Sequence, residues 1–162
     1  MNKHIKTIQT SSRVGLWGSV GVVILTVVFI YAAPWRFYPS EHTAQWMLIA
    51  GSVLAVLAVS MMLLSVRRQI PQLRQADSLE TKLAGYAAHV RSLYTTMLVV
   101  IVLLCAFTLM SARNVLLMLA LVSVLVLFLN YPNIYRIKVD LGLTDEEMRS
   151  LFGERYISGN EE

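Results

Sequence analysis

Residues 93–112 read LYTTMLVVIVLLCAFTLMSA, and after only Arg113 and Asn114 residues 115–131 continue as VLLMLALVSVLVLFLNY. Neither run contains Asp, Glu, Lys, Arg or His. A helix needs about 20 apolar residues to cross a hydrocarbon core of about 30 Å, so each run is a candidate transmembrane span, the second being the shorter. The turn at residues 111–114 is so tight that the two helices must be antiparallel neighbours. Working outward from this hairpin, residues 44–66 and 14–33 are two further apolar runs without a charge. The predicted fold is all-α: a four-helix transmembrane bundle over residues 1–131, followed by a short helical tail over residues 132–162.

Composition supports a membrane protein. Of the 162 residues 56% are hydrophobic and only 15% charged, against about 25% in a soluble domain. Cys105, the single cysteine, lies mid-span, so an intramolecular disulfide is impossible and the redox compartment is not legible. The net charge of +4 raises the question of nucleic acid, but no recognition motif or aromatic-interleaved basic patch accompanies it. The basic residues follow the spans instead. Lys3, Lys6 and Arg13 precede the first; Arg67, Arg68, Arg74, Lys82 and Arg91 separate the second from the third; Arg136, Lys138, Arg149 and Arg155 follow the fourth. Only Arg36 and Arg113 fall on the other side. Because cytoplasmic loops carry the Lys/Arg excess, both termini and the loop 67–92 are expected to be cytoplasmic.

The basic leader and the apolar run ending Tyr31-Ala32-Ala33 have some features of a signal peptide. The run is too long for the usual 7–15-residue apolar region, Tyr31 replaces a small residue, and Pro34 would follow the cut, so an uncleaved anchor is expected. Aromatic belts fit this register, with Trp35, Phe37, Tyr38 and Trp46 at the outer boundary and Tyr94, Tyr131 and Tyr135 at the inner one.

Inside, Pro71 is expected to stop the helix leaving the second span, and Asp77 to cap a new one with Glu80 reaching back. Leu79, Leu83, Tyr86, Val90 and Tyr94 then recur at helical spacing into the third span, which is therefore predicted to protrude as one long helix. In the tail, Pro132 suits the first turn of a helix carrying Ile134, Ile137 and Leu141, with Gly142 as its end and Asn130 as a candidate cap. Thr144 caps a second short helix. Glu147 completes its capping box, Leu143 is placed to staple against Met148, and Gly153 closes it after Leu151 and Phe152. Leu143, Met148, Leu151 and Phe152 form the candidate interaction surface, docked on the chain's own helices, on lipid or on a protein partner. Self-docking is the favoured expectation, since helices this short are marginal in water.

Small residues let transmembrane helices approach closely. Gly15, Gly18 and Gly21 on the first span, and Gly51, Ala55 and Ala58 on the second, are the candidate packing positions, within the bundle rather than between copies of a homo-oligomer. Ser52, Ser60, Thr95, Thr96, Thr108 and Ser123 lie within or at the ends of spans, where a hydroxyl can bond the carbonyl four residues back without any pore or substrate. Each half is a hairpin followed by a capped cytoplasmic helix, an arrangement like a parallel repeat, though the residues match poorly.

Chemistry is sparse. His4, His42 and His89 stand far apart with no metal-ligand spacing; Glu41 and His42 are adjacent without a third ligand; Asp145, Glu146 and Glu147 are explained by the first turn of a helix. No glycine-rich phosphate loop is present. No catalytic residue, cofactor or metal is assigned.

The stretches Leu141–Met148 and Leu151–Gly153, after Tyr131–Tyr135 and with Arg68–Pro71 and Ser78–Lys82, resemble a group of small, uncharacterised bacterial inner-membrane proteins. The resemblance covers spans two to four and the tail. It implies a location in a bacterial inner membrane and no activity. Since nearly all residues outside the spans lie inside, the expected function is a non-enzymatic structural, assembly or interaction subunit working through its cytoplasmic face, with the bilayer and a protein as partners. A transporter or channel component is the alternative, although its expected mid-span charge is missing. A membrane enzyme or a lipid-binding protein comes third.

Overall fold

A computed structural model describes residues 3–32, 39–76, 78–111 and 113–152, and all the regular structure among them is helical. The elements are α1 (Lys3–Ala32), α2 (Glu41–Arg74), α3 (Leu79–Ser111), α4 (Asn114–Leu129), α5 (Ile134–Leu141) and α6 (Asp145–Phe152). Helices α1, α2 and α3 are each long and apolar enough to cross a membrane. Helix α4 has 16 residues, about 24 Å at 1.5 Å per residue, and breaks at Asn130 before α5 sets off at 75° to it. The chain thus holds three candidate spans, or four if the bent pair counts as one.

Helix α3 is the hub. Helices α1, α2 and α4 all pack on it, and it supplies the fully buried Leu83, Met97, Ile101, Leu104 and Thr108. The outward faces stay apolar: Ile24, Phe29, Val56, Leu57, Leu121 and Phe128 are all more than two-fifths exposed, as side chains facing lipid would be. Buried hydroxyls bond within their own helices. Ser19 Oγ donates to Gly15 O at 2.7 Å, Thr108 Oγ1 to Leu104 O at 2.8 Å, and Ser123 Oγ to Leu119 O at 2.9 Å.

Several local expectations change. Helix α1 begins at Lys3, well before the apolar run, because Ile5, Ile8 and Ser12 recur on one face and are completely buried. Pro71 does not stop α2. It sits at an exposed position, so the carbonyl it frees at exposed Arg67 can face water, and contacts beyond it hold the helix to Arg74. The cap of α3 is Ser78, whose Oγ accepts from Thr81 N at 3.2 Å; Asp77 lies outside the described residues, and with Ser78 in the capping place Glu80 is one position short of the box. Asn133 rather than Pro132 or Asn130 opens α5, its Oδ1 accepting from Arg136 N at 2.7 Å. Asn130 instead closes α4. Tyr94 is no belt residue: it is 2% exposed and points inward. The outer-belt positions Trp35, Phe37 and Tyr38 lie outside the described residues, as does Gly153.

Two of the caps expected in the tail are present. Gly142, at φ 61°, takes the left-handed conformation that ends α5 at little cost only for glycine. Thr144 N donates to Glu147 Oε2 at 2.8 Å, and Glu147 N to Thr144 Oγ1 at 3.3 Å, completing the reciprocal capping box. Leu143, Met148 and Leu151 belong to the same buried cluster as the long helices, and Phe152 packs half-buried against it. The tail is docked on its own chain.

Candidate functional site

A polar cluster lies at the basic end of the molecule, where α2, α3 and the junction of α4 with α5 meet. Its logic starts from helix ends, whose last carbonyls have no partner within the helix and carry a partial negative charge. Two arginines satisfy them. Arg136 Nη1 donates to Leu129 O at 2.7 Å and its Nη2 to Asn130 Oδ1 at 2.7 Å, at the end of α4. Arg74 Nε donates to Asp140 O at 2.8 Å and its Nη2 to Val139 O at 2.6 Å, at the end of α5. Tyr94 adds its hydroxyl to Leu127 O at 3.1 Å.

Asp140 connects the three elements. Its Oδ2 accepts from Tyr86 Oη at 2.8 Å and lies 3.7 Å from Arg136 Nε, one helical turn before it. Burial raises the pKa of the Tyr86 phenol, and the negative charge of Asp140 raises it further, so Tyr86 is a donor throughout the physiological range. His89, four residues before the apolar run at 93–112, has a buried Nε2 without a hydrogen-bond partner among the described residues. Burial lowers its pKa and Asp140 opposes the shift, which leaves the imidazole neutral at pH 7. It borders two cavities. One, of about 30 Å³, adjoins Tyr86, Arg136 and Asp140 and has the volume for a water molecule. The other, of about 370 Å³ between α2 and α3, is also lined by Ser65, Gln69, Ser92 and Thr96.

Chemically, this is a clamp. Its donors are arginines and a phenol, and its acceptors are backbone carbonyls and one carboxylate. Among the described residues, no three His, Cys, Asp or Glu side chains converge as a metal site would need. His42 accepts from Trp46 Nε1 at 3.0 Å, an i, i+4 pair on the first turns of α2 that has nothing to do with Glu41. Glu147 is held below the usual carboxylate range by the Thr144 backbone N–H, as its capping role requires.

The candidate packing residues divide. Gly15 sits directly against Tyr94, Gly51 against Leu116, and Ala55 and Ala58 are buried; Gly18 makes ordinary contact with Leu98, and Gly21 faces no atom within 4 Å. The candidate interaction residues Leu143, Met148 and Leu151 serve the chain's own core, so they are not an open surface. Local sequence patterns miss the clamp, because Arg74 and Tyr86 reach partners 66 and 54 residues away. The one available signal was an isolated Asp140 and Arg136 at i, i+4 spacing on a helix otherwise read for its apolar face. No protein-family model, curated protein or solved structure matches this chain.

Proposed function

We propose that this chain is a four-span protein of a bacterial inner membrane, with both termini and the loop 67–92 cytoplasmic, that acts without catalysis as an assembly or interaction subunit through its cytoplasmic face. The positive-inside distribution supports the orientation. The resemblance to small bacterial inner-membrane proteins is the ground for the membrane named. The observation that carries the functional reading is the clamp: Arg74, Tyr86 and Arg136 converge on the Val139–Asp140 turn of α5 and fix the tail against α2 and α3. A tail held this rigidly presents one surface, which suits docking better than turnover. Leu143, Met148 and Leu151 are buried, and the large hydrophobic side chains of α5 that are exposed are Tyr135 and Val139, 47% and 65% exposed and one turn apart.

Purification in mild detergent tests this. A stoichiometric partner retained by the wild type and lost from the Tyr135→Ala, Val139→Ala double variant is the expected result. Solute flux by the purified protein alone in vesicles would overturn it. The cavity of about 370 Å³ beside His89 supports transport as the second reading, in which His89→Gln would stop flux while leaving the tail docked.

A further inference from the structure

An open groove of about 520 Å³ runs between α1 and α3 at the basic end. Three cations line it: Lys3 and Lys6 from α1 and Arg91 from α3. All three are exposed, and no carboxylate among the described residues pairs with them. Thr10, Ser11 and Thr95 also line it and bring hydroxyl donors to the groove. At the other end the wall changes to Val14 and Leu98, where both helices enter their apolar runs. The close approach of Gly15 to Tyr94 closes the floor.

We infer that this groove binds the phosphate of an anionic phospholipid, with the headgroup among Lys3, Lys6 and Arg91 and an acyl chain leaving along Val14 and Leu98. Positive-inside topology accounts for basic residues on this side, but it does not require two helices to bring three of them to one groove beside hydroxyl donors. The apolar end selects a lipid over a free anion, because Val14 and Leu98 offer inorganic phosphate nothing. Arginine and lysine recognise phosphate by charge-assisted hydrogen bonds, and a site at the interface needs no deep burial to hold a molecule already in the membrane. The inference depends on these helices crossing a membrane and is separate from the interaction-subunit reading.

Native mass spectrometry of the purified full chain in mild detergent tests it, with added phosphatidylglycerol, phosphatidylcholine or inorganic phosphate. The wild type should retain phosphatidylglycerol in preference to phosphatidylcholine, and inorganic phosphate should not displace it. Each of K3Q, K6Q and R91Q should weaken retention about fivefold, the equivalent of about 1 kcal/mol per basic residue at a membrane surface. The R67Q/R68Q/R149Q variant, which removes three charges outside the groove, should retain the lipid as the wild type does. Equal retention of the two lipids by the wild type overturns the inference without need of any variant. Displacement by inorganic phosphate, or equal loss in the R67Q/R68Q/R149Q variant, also overturns it, the first in favour of a soluble anion and the second in favour of a general surface charge.

Discussion

Gly15 of α1 stands so close to Tyr94 of α3 that a methyl group at position 15 would fall 2.8 Å from Tyr94 Cβ and 2.9 Å from its ring. The same tyrosine donates its hydroxyl to Leu127 O of α4 at 3.1 Å. One side chain on the hub helix therefore ties α1 and α4 together, provided position 15 carries no side chain. Tyr94 Cβ is next to backbone and cannot swing away. Gly15→Ala is expected to destabilise the protein by about 1–3 kcal/mol, the usual cost of overpacking, even though alanine favours helix. Gly21→Ala, with no atom within 4 Å, should be neutral or slightly stabilising. Thermal unfolding in detergent compares them, and equal midpoints would mean that α1 and α3 do not pack through Gly15.

The clamp predicts a separable effect. Arg136→Met keeps the aliphatic stem but removes the donors to Leu129 O and Asn130 Oδ1, and leaves Asp140 without the cation facing it. Loss of partly buried, charge-assisted bonds costs about 1–3 kcal/mol. Hydrogen exchange should accelerate across residues 134–152 while α3 keeps its protection. Unchanged exchange in the tail would show that apolar burial alone holds it.

Much of this was legible because the strongest signals were local. Uncharged runs marked the long helices, and Leu79, Leu83, Tyr86 and Val90 carried α3 below its span as expected. Thr144 and Glu147 named the start of α6 because a capping box involves only neighbours. Failures arose where distant contacts overrode local rules. Pro71 is tolerated within α2 because Ile70 is buried on one side of it and Arg74 is anchored to α5 on the other. The buried face of Ile5, Ile8 and Ser12 sits among Lys3, Lys6 and Arg13, so charge hid a short helical period. The clamp joins residues from four helices, α2 to α5, and no spacing rule connects them.

Removing the cap tests the tail helix on its own. In Thr144→Ala the Glu147 backbone N–H loses its side-chain acceptor, and α6 should weaken by about 0.5–2 kcal/mol. Amides of residues 145–151 should exchange faster than in the wild type. No change there would assign the stability of α6 wholly to the burial of Met148 and Leu151.

Glu147 gives the same helix a pH dependence of definite sign. The Thr144 N–H holds its folded pKa below the unfolded value of about 4.3, so its contribution is complete above that pH and is lost as pH falls through the folded pKa. The effect is small because the carboxylate is largely solvated. Protection of the α6 amides, taken relative to the intrinsic exchange rate at each pH, should fall on acidification in the wild type, and Glu147→Gln should remove that fall in protection. A variant with the wild-type acid response would place the titrating group elsewhere.

The central claim, that the spans bring both ends of the chain and its basic loop to one side of the membrane, is tested most directly by cysteine labelling in intact cells. In a Cys105→Ala background, a membrane-impermeant maleimide should react with Glu41→Cys at the start of α2 without permeabilisation. It should react with Glu146→Cys on α6 only after the membrane is opened. Labelling of Glu146→Cys in intact cells would put the tail outside and contradict the four-span account.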